Sequence, residues 1–403
     1  MFVVLPNTTP PFVALITTNR RKLLVKFYSG SGLREAVVKN ILVIGAGTIG
    51  STIAEMLAGT RDYAVTIADH SAERLQRLEG LQEVERLVLD IGDEPGLRRA
   101  LGGQFAVLSA APYHQTAKIA QAVKGGTTHY LDLTEDVATT RLVRGLAAGA
   151  PSAFIPQCGL APGFVSIVAN DLAGRFDRLD QIKMRVGALP EFPSNALNYN
   201  LTWSTDGVIN EYCEPCEAIA GGVKCSVPAL EELEEFSLDG TKYEAFNTSG
   251  GLGSLCETFE GRIRSLNYRT IRYPGHCAIM KALLNDLRLR DRRDVLKDIL
   301  ENSLPATLQD VVVVLVTASG WRGDRFLQET YANKIYSQTL GGRRHSAIQM
   351  TTAAGICTVL DLLAEERLPR SGFVRQEGVP LESFLQNRFG RLYRPVERAA
   401  AAA

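Results

Sequence analysis

The 403-residue sequence has no surplus of charge: 44 lysines and arginines offset 44 aspartates and glutamates, and the formal net charge at neutral pH is zero. Such a balance gives nucleic acid or an anionic membrane surface no bulk electrostatic attraction, so neither partner is expected. The chain also lacks an internal repeat, a block of like charges, and an apolar run of the about 20 residues that a bilayer core requires. Cysteine is scarce. Seven are scattered along the chain, an odd number that suits reduced thiols in a cytoplasm better than a disulfide framework. Cys213, Cys216 and Cys225 come nearest to a metal set, but no second close pair and no histidine at finger spacing completes it, so no metal is expected. What is present, 45% hydrophobic and 22% charged residues, is the make-up of a soluble chain long enough for two or so domains.

The most informative stretch is Asn40 to Gly50. The apolar run Ile41-Leu42-Val43-Ile44 enters a turn built on Gly45, Gly47 and Gly50, and Ser51 to Leu57 then takes up a helical apolar pattern. Gly45 allows the tight turn, Gly47 admits a pyrophosphate to the backbone, and Gly50 lets the helix pack on the strand. The anion would rest on the free N–H groups around Thr48 and Ile49. A glycine turn alone is weak evidence, but Ala64 to Asp69 is a second buried-strand run, and Asp69 lies 19 residues after Gly50, where a ribose-binding carboxylate is expected. A carboxylate accepts from a ribose 2′-OH and repels a 2′-phosphate, which favours NAD. His70 and Arg74 follow closely and soften that preference, so NADP stays open.

Further strands read at Leu87 to Asp90, Phe105 to Ala110, His129 to Leu133 and Ala153 to Pro156, alternating with helical segments, one of them from Ser71, a plausible N-cap, to Leu78. The pattern implies an α/β Rossmann fold, a doubly wound parallel sheet. Asp90 would contact the adenine side of a nucleotide or cap the next helix. Ligands bind beyond the carboxyl ends of such strands, which puts Tyr113, His114 and Asp132 near a reacting centre as acid/base candidates. The alternative is that Tyr113 stacks on the cofactor and Asp132 caps a helix. From Asp180 onward, strand-like alternation at Gln181 to Gly187, Ser265 to Arg272 and Leu283 to Leu289, the run Val311 to Val316 and the stretch Phe326 to Ile335 indicate a second, α+β domain with a mixed or antiparallel sheet. Thr351 to Leu363 reads as a long apolar helix. Residues 1–38, broken by Pro6, Pro10 and Pro11, with Arg20-Arg21-Lys22 after their apolar part, read as a loose or disordered extension rather than a secretory signal.

Three segments carry a resemblance: Cys158-Gly-Leu-Ala-Pro-Gly163, Tyr243 to Gly251, and Tyr268-Arg-Thr-Ile-Arg-Tyr-Pro-Gly-His276. In these the chain resembles the saccharopine dehydrogenase family from Lys39 to about Phe389, and within it the lysine 6-dehydrogenase branch. The resemblance implies a pyridine-nucleotide oxidoreductase acting on a C–N bond of lysine or saccharopine, and a homodimer. It also implies a nucleotide domain over 39–164, a substrate and dimerisation domain over 165–350, helices over 351–390 returning to the first domain, and a tail over 391–403. A zwitterionic substrate then needs anchors. Arg272 and His276 suit its carboxylate, Thr248 and Ser249 are neutral donors beside Gly250-Gly251, and Tyr199 with Trp203 would wall an aliphatic chain. The other reading of Arg272 is a structural salt bridge, and of the aromatics, core. The family often carries an acid before Cys158; here Gln157 stands there. Saccharopine, with its extra glutarate, would call for further cations, for which Arg185, Arg262 and Arg264 are available. Two rival functions share the fold: a non-catalytic dinucleotide-binding protein, and a carboxynorspermidine-type reductase joining an amine to an aldehyde.

Overall fold

A computed structural model describes residues 38–395 in full and, before them, the backbone of Phe2–Val4, Val13–Asn19, Lys22–Ser29 and Gly32–Val37, which pair antiparallel in sequence order. Where a loose extension is expected, these strands stand instead; the β-branched and aromatic residues between the prolines supply their propensity. The rest of 1–37, and the tail from 396, lie outside the described residues.

Buried β-branched runs set the first layer. Its parallel sheet runs in the order Gly372–Phe373, Ala153–Ile155, His129–Asp132, Ala106–Ser109, Lys39–Ile44, Tyr63–Asp69, Val84–Val88. Apart from the short C-terminal strand this is the Rossmann order, which reverses between Lys39–Ile44 and Ala106–Ser109 and opens a crevice there. The strand expected at Leu87 to Asp90 is observed earlier, at Val84–Val88. It is the sheet edge, where Glu85 and Arg86 can face water, so apolarity misplaces it. Ser71 does cap its helix, its hydroxyl accepting from the Arg74 amide, but the helix is short, Ala72–Gln76.

The second sheet is mixed, as the alternation implies. Arg178–Pro190 lies parallel to Ser265–Arg272 on one side and antiparallel to Asp310–Arg322 on the other, with Arg325–Tyr336 beyond. Leu283 to Leu289, expected as a strand, is helical: His276–Lys281 runs on into a π turn at Ala282–Asp286 and a 3₁₀ turn at Leu289–Asp291. Leu284 and Leu289 are buried there, a spacing that mimics alternation.

The apolar helix spans Ala347–Ala364 and is almost wholly buried, a core element packed against the glycine-turn helix Thr48–Ala58. It starts four residues before the expected Thr351, at a capping box in which Ser346 and Gln349 satisfy each other's backbone amides. Asp310 adds a carboxylate to the Ala347 and Ile348 amides and so ties the second sheet to this helix start. Its one buried acid, Asp361, takes hydrogen bonds from Tyr63, Asn387 and Arg388 and locks the C-terminal turns onto the first domain.

Candidate active site

A cleft of about 1620 Å³ opens at the reversal of the first sheet and is closed on its far side by the second domain. The glycine turn forms its floor. Gly45 has φ +108°, and a Cβ there would stand 2.6 Å from the Ala110 carbonyl oxygen; one at Gly50 would stand 1.8 Å from the Gly45 oxygen. A Cβ on Gly47 would meet nothing within 4 Å, because that position faces the open cleft. Gly47 caps Thr48–Ala58 without a side-chain partner, leaving the first amides of an 11-residue helix for an anion. Thr48, Ile49, Asp69 and Asp90 line the same space, so the residues present fit a pyridine dinucleotide.

Asp69 does more than the expected ribose contact requires. Its carboxylate accepts from the Ala46 and Ser71 amides, each at 2.8 Å, and so braces the glycine turn itself. His70 and Arg74 stand 3.2 and 3.9 Å from it, with most of the His70 side chain exposed. Asp90 accepts from the Gly92 amide at 2.7 Å while lining the cleft, and the following helix takes Asp93 as its N-cap.

Tyr113 and His114 open the helix Tyr113–Val123 and both line the cleft, their rings edge to face at 5.7 Å. Asp132 does not line it. This carboxylate is fully buried and accepts from Tyr130 Oη at 2.7 Å, the Gln157 amide at 2.9 Å and the Thr134 amide at 3.0 Å. Burial raises its pKa to about 6 against those hydrogen bonds. It pins the ends of two neighbouring strands from behind the wall, so a role at the reacting centre is withdrawn. Gln157 is also turned away, its amide reaching Thr140.

From the second domain Arg272 reaches the cleft wall although only 3% exposed. Its Nε–H donates to Tyr212 Oη at 2.9 Å, and Nη1–H donates to Thr270 Oγ1 at 2.7 Å and to the Ile271 carbonyl at 2.8 Å. The Tyr212 hydroxyl in turn donates to His276 Nε2 at 3.0 Å, and His276 Nδ1–H donates to the Leu197 carbonyl at 2.9 Å. The carbonyl end fixes the tautomer, and burial together with the nearby guanidinium lowers the His276 pKa to about 3, keeping the ring neutral. Among the described residues no carboxylate lies within salt-bridge reach of Arg272, so the structural ion pair is not what holds it.

Several expected anchors sit behind this wall. His276 is 1% exposed and orients Tyr212, while Tyr199 lies under the Arg272 guanidinium at 5.2 Å from ring centre to Cζ. Thr248 and Ser249 are buried outside the cleft lining, and Trp203 lines it. The turn beside them matters for another reason. Gly250, at φ +85°, packs on the Glu135 carbonyl, and a Cβ on Gly251 would fall 2.3 Å from the Tyr268 ring. Both Glu135 and Tyr268 line the cleft, as does Glu211. Sequence reading passed over all three. Tyr268 begins a motif already singled out and Glu135 follows a strand end, but Glu211 sits in the helix Thr205–Cys213 with no local signal.

Glu135 is half-buried and Glu211 is 7% exposed. Burial raises their pKa values to about 7 and about 8, with the repulsion of Glu135 adding to Glu211 and Arg272 opposing it. Each acid therefore keeps its proton in the folded state at pH values where the unfolded chain, near 4.5, has lost it. Stability is lost as pH rises across that gap. The buried histidines His129 and His276, lowered to about 4 and about 3, act oppositely, but only up to their ordinary 6.5. Between pH 6.5 and 8.5 the Tm of the ligand-free protein is thus expected to fall, and Glu211→Gln to flatten that fall. Calorimetry across the range checks it; an unaltered slope in the variant would contradict the burial of an ionisable Glu211.

The geometry defines a two-domain protein of the Rossmann dinucleotide-binding class, with a cationic anchor facing the nucleotide site. Sequence models of the saccharopine dehydrogenase NADP binding domain and the saccharopine dehydrogenase C-terminal domain match residues 41–152 and 159–392. The chain belongs to the saccharopine dehydrogenase family. Saccharopine dehydrogenase [NADP(+), L-glutamate-forming] of Saccharomyces cerevisiae is 24% identical over 177 residues, covering 42% of this chain and 40% of its own length. Mitochondrial alpha-aminoadipic semialdehyde synthase of Rattus norvegicus is 22% identical over 357 residues, 83% of this chain and 36% of that protein. The chain thus spans about two fifths or less of these relatives' length. The fold matches apo saccharopine dehydrogenase (L-Glu forming) from Saccharomyces cerevisiae with a TM-score of 0.72 at 17% identity, covering 87% of this chain and 98% of that one.

Proposed function

We propose that the protein is an NAD(P)-dependent oxidoreductase that breaks a C–N bond of lysine or a lysine-derived amino acid. The observation that carries this is Arg272, a buried guanidinium without a carboxylate partner, set in the cleft that holds the glycine turn. A planar fork without a counter-charge is built for a ligand carboxylate. Gly47 and the free amides of Thr48–Ala58 hold the pyrophosphate, and Asp69 and Asp90 the adenosine side. The nicotinamide, when bound, accepts the hydride from the carbon bearing nitrogen. Tyr113, His114 and Glu135 then serve as the groups within reach of the amine proton and of the water that hydrolyses the iminium.

A screen of lysine, saccharopine and related diamines with NAD and NADP, followed at the nicotinamide absorbance band with product identification, tests the reading. Aldehyde with ammonia marks lysine 6-dehydrogenation, and aldehyde with glutamate marks saccharopine cleavage. Dinucleotide binding without turnover on any amine would sink the enzyme reading in favour of a binding protein. For the cofactor, Arg74 is the cation placed to meet a 2′-phosphate beside Asp69. Arg74→Ala is expected to weaken NADPH about 10-fold and leave NADH unchanged in fluorescence titrations. Equal losses would remove Arg74 from that contact.

A further inference from the structure

We infer that Glu135 and Glu211 form the seat for the substrate's side-chain ammonium, so that the site takes an amino acid with one carboxylate and a terminal primary amine. This deepens the C–N oxidoreductase reading and rests on it. The acids come from different domains, one after the strand His129–Asp132 and one from the helix Thr205–Cys213, yet a single turn aligns them. Gly250 packs on the Glu135 backbone, and the neighbouring Ser249 amide donates to the Glu211 carbonyl at 3.0 Å. Among the described residues neither carboxylate has an ion-pair partner, and Glu211 accepts no hydrogen bond. An acid so buried and unpartnered is costly to keep unless something in the cleft completes it. A cationic amine does so and restores the ionised form that burial suppresses.

The charge pattern also excludes a larger acid. Arg272 is the one buried cation lining the cleft among the described residues. The arginines that a glutarate would need are engaged elsewhere: Arg185 pairs with Glu234, Arg264 with Asp180, and Arg262 lies over the Phe259 ring. Saccharopine would bring two further carboxylates towards a cleft that offers two acids and no second buried cation. Lysine presents one carboxylate to Arg272 and one ammonium to the glutamates.

The test is calorimetric titration of the full chain, without oxidised cofactor, against L-lysine, L-norleucine, 6-aminohexanoate and saccharopine. Lysine and norleucine differ only in the terminal ammonium, and 6-aminohexanoate keeps that ammonium while lacking the α-amine. Lysine is expected to bind about 10-fold or more tightly than norleucine, and 6-aminohexanoate to retain binding. Glu211→Gln and Glu135→Gln should each erase the advantage of lysine and leave norleucine unchanged. Equal binding of lysine and norleucine by the unaltered protein, or tighter binding of saccharopine than of lysine, overturns the seat without recourse to a variant. Norleucine binding that survives Arg272→Ala would instead remove the carboxylate anchor on which the functional reading stands.

Discussion

Arg272→Ala is expected to weaken the amino-acid substrate roughly 100-fold or more, and dinucleotide affinity hardly at all. Two charge-assisted hydrogen bonds to a carboxylate contribute about 1.5–3 kcal/mol each when water is excluded. Losing a forked pair therefore forfeits about 3 kcal/mol at the least, which is the factor stated. The guanidinium is held before any ligand arrives: Tyr212, Thr270 and the Ile271 carbonyl occupy Nε and Nη1, and no described residue bonds Nη2. Alanine also leaves the Tyr212 hydroxyl and the Thr270 oxygen without this donor, so a fall in Tm accompanies the loss of affinity. Arg272→Lys separates the two effects, since an ammonium keeps the charge and cannot reproduce the fork. Separate titrations with amino acid and with NADH or NADPH check the split. Parallel losses in both would make Arg272 a structural residue of the second sheet.

The relay behind Arg272 shows why the sequence named His276 and placed it wrongly. The motif from Tyr268 to His276 is continuous, and its polar residues look equally available when read as a string. In the fold the strand ends at Arg272, the chain turns through Gly275 at φ +97°, and His276 starts the next helix facing inward. It reaches the site only through Tyr212, a residue 64 positions away. Asp132 failed for a related reason. A strand end locates a residue near the crevice without saying which side its carboxylate faces, and here Tyr130 and two backbone amides draw it into the core. The glycine turn, by contrast, was legible because its contacts are local, and Asp69 because spacing along two adjacent strands fixes it. Glu211 has no such local determinant. Its place in the cleft follows from the docking of one domain on the other, which no window of sequence contains.

Gly50→Ala and Gly47→Ala are expected to separate folding from cofactor binding within a single turn. At Gly50 the added Cβ would lie 1.8 Å from the Gly45 oxygen and 3.3 Å from the Ala110 Cβ. Relief requires the helix Thr48–Ala58 to move off the turn, and that helix is also packed against Ala347–Ala364. Overpacking of this kind costs about 1–3 kcal/mol, and the displaced amides no longer converge on the pyrophosphate. Gly50→Ala should therefore lower both Tm and the affinity for NADH and NADPH, the latter by about 100-fold or more. Gly47 differs in both respects. Its φ of −76° suits any residue, and its Cβ would project into open cleft, where only a bound ligand stands. Gly47→Ala is accordingly expected to leave the ligand-free Tm unchanged and still cost about 10-fold or more in cofactor affinity, because the methyl occupies the approach of the phosphates. Calorimetry without ligand and fluorescence titration with each reduced dinucleotide measure the two effects independently. If Gly47→Ala binds both cofactors as the unaltered protein does, the pyrophosphate does not lie on this turn.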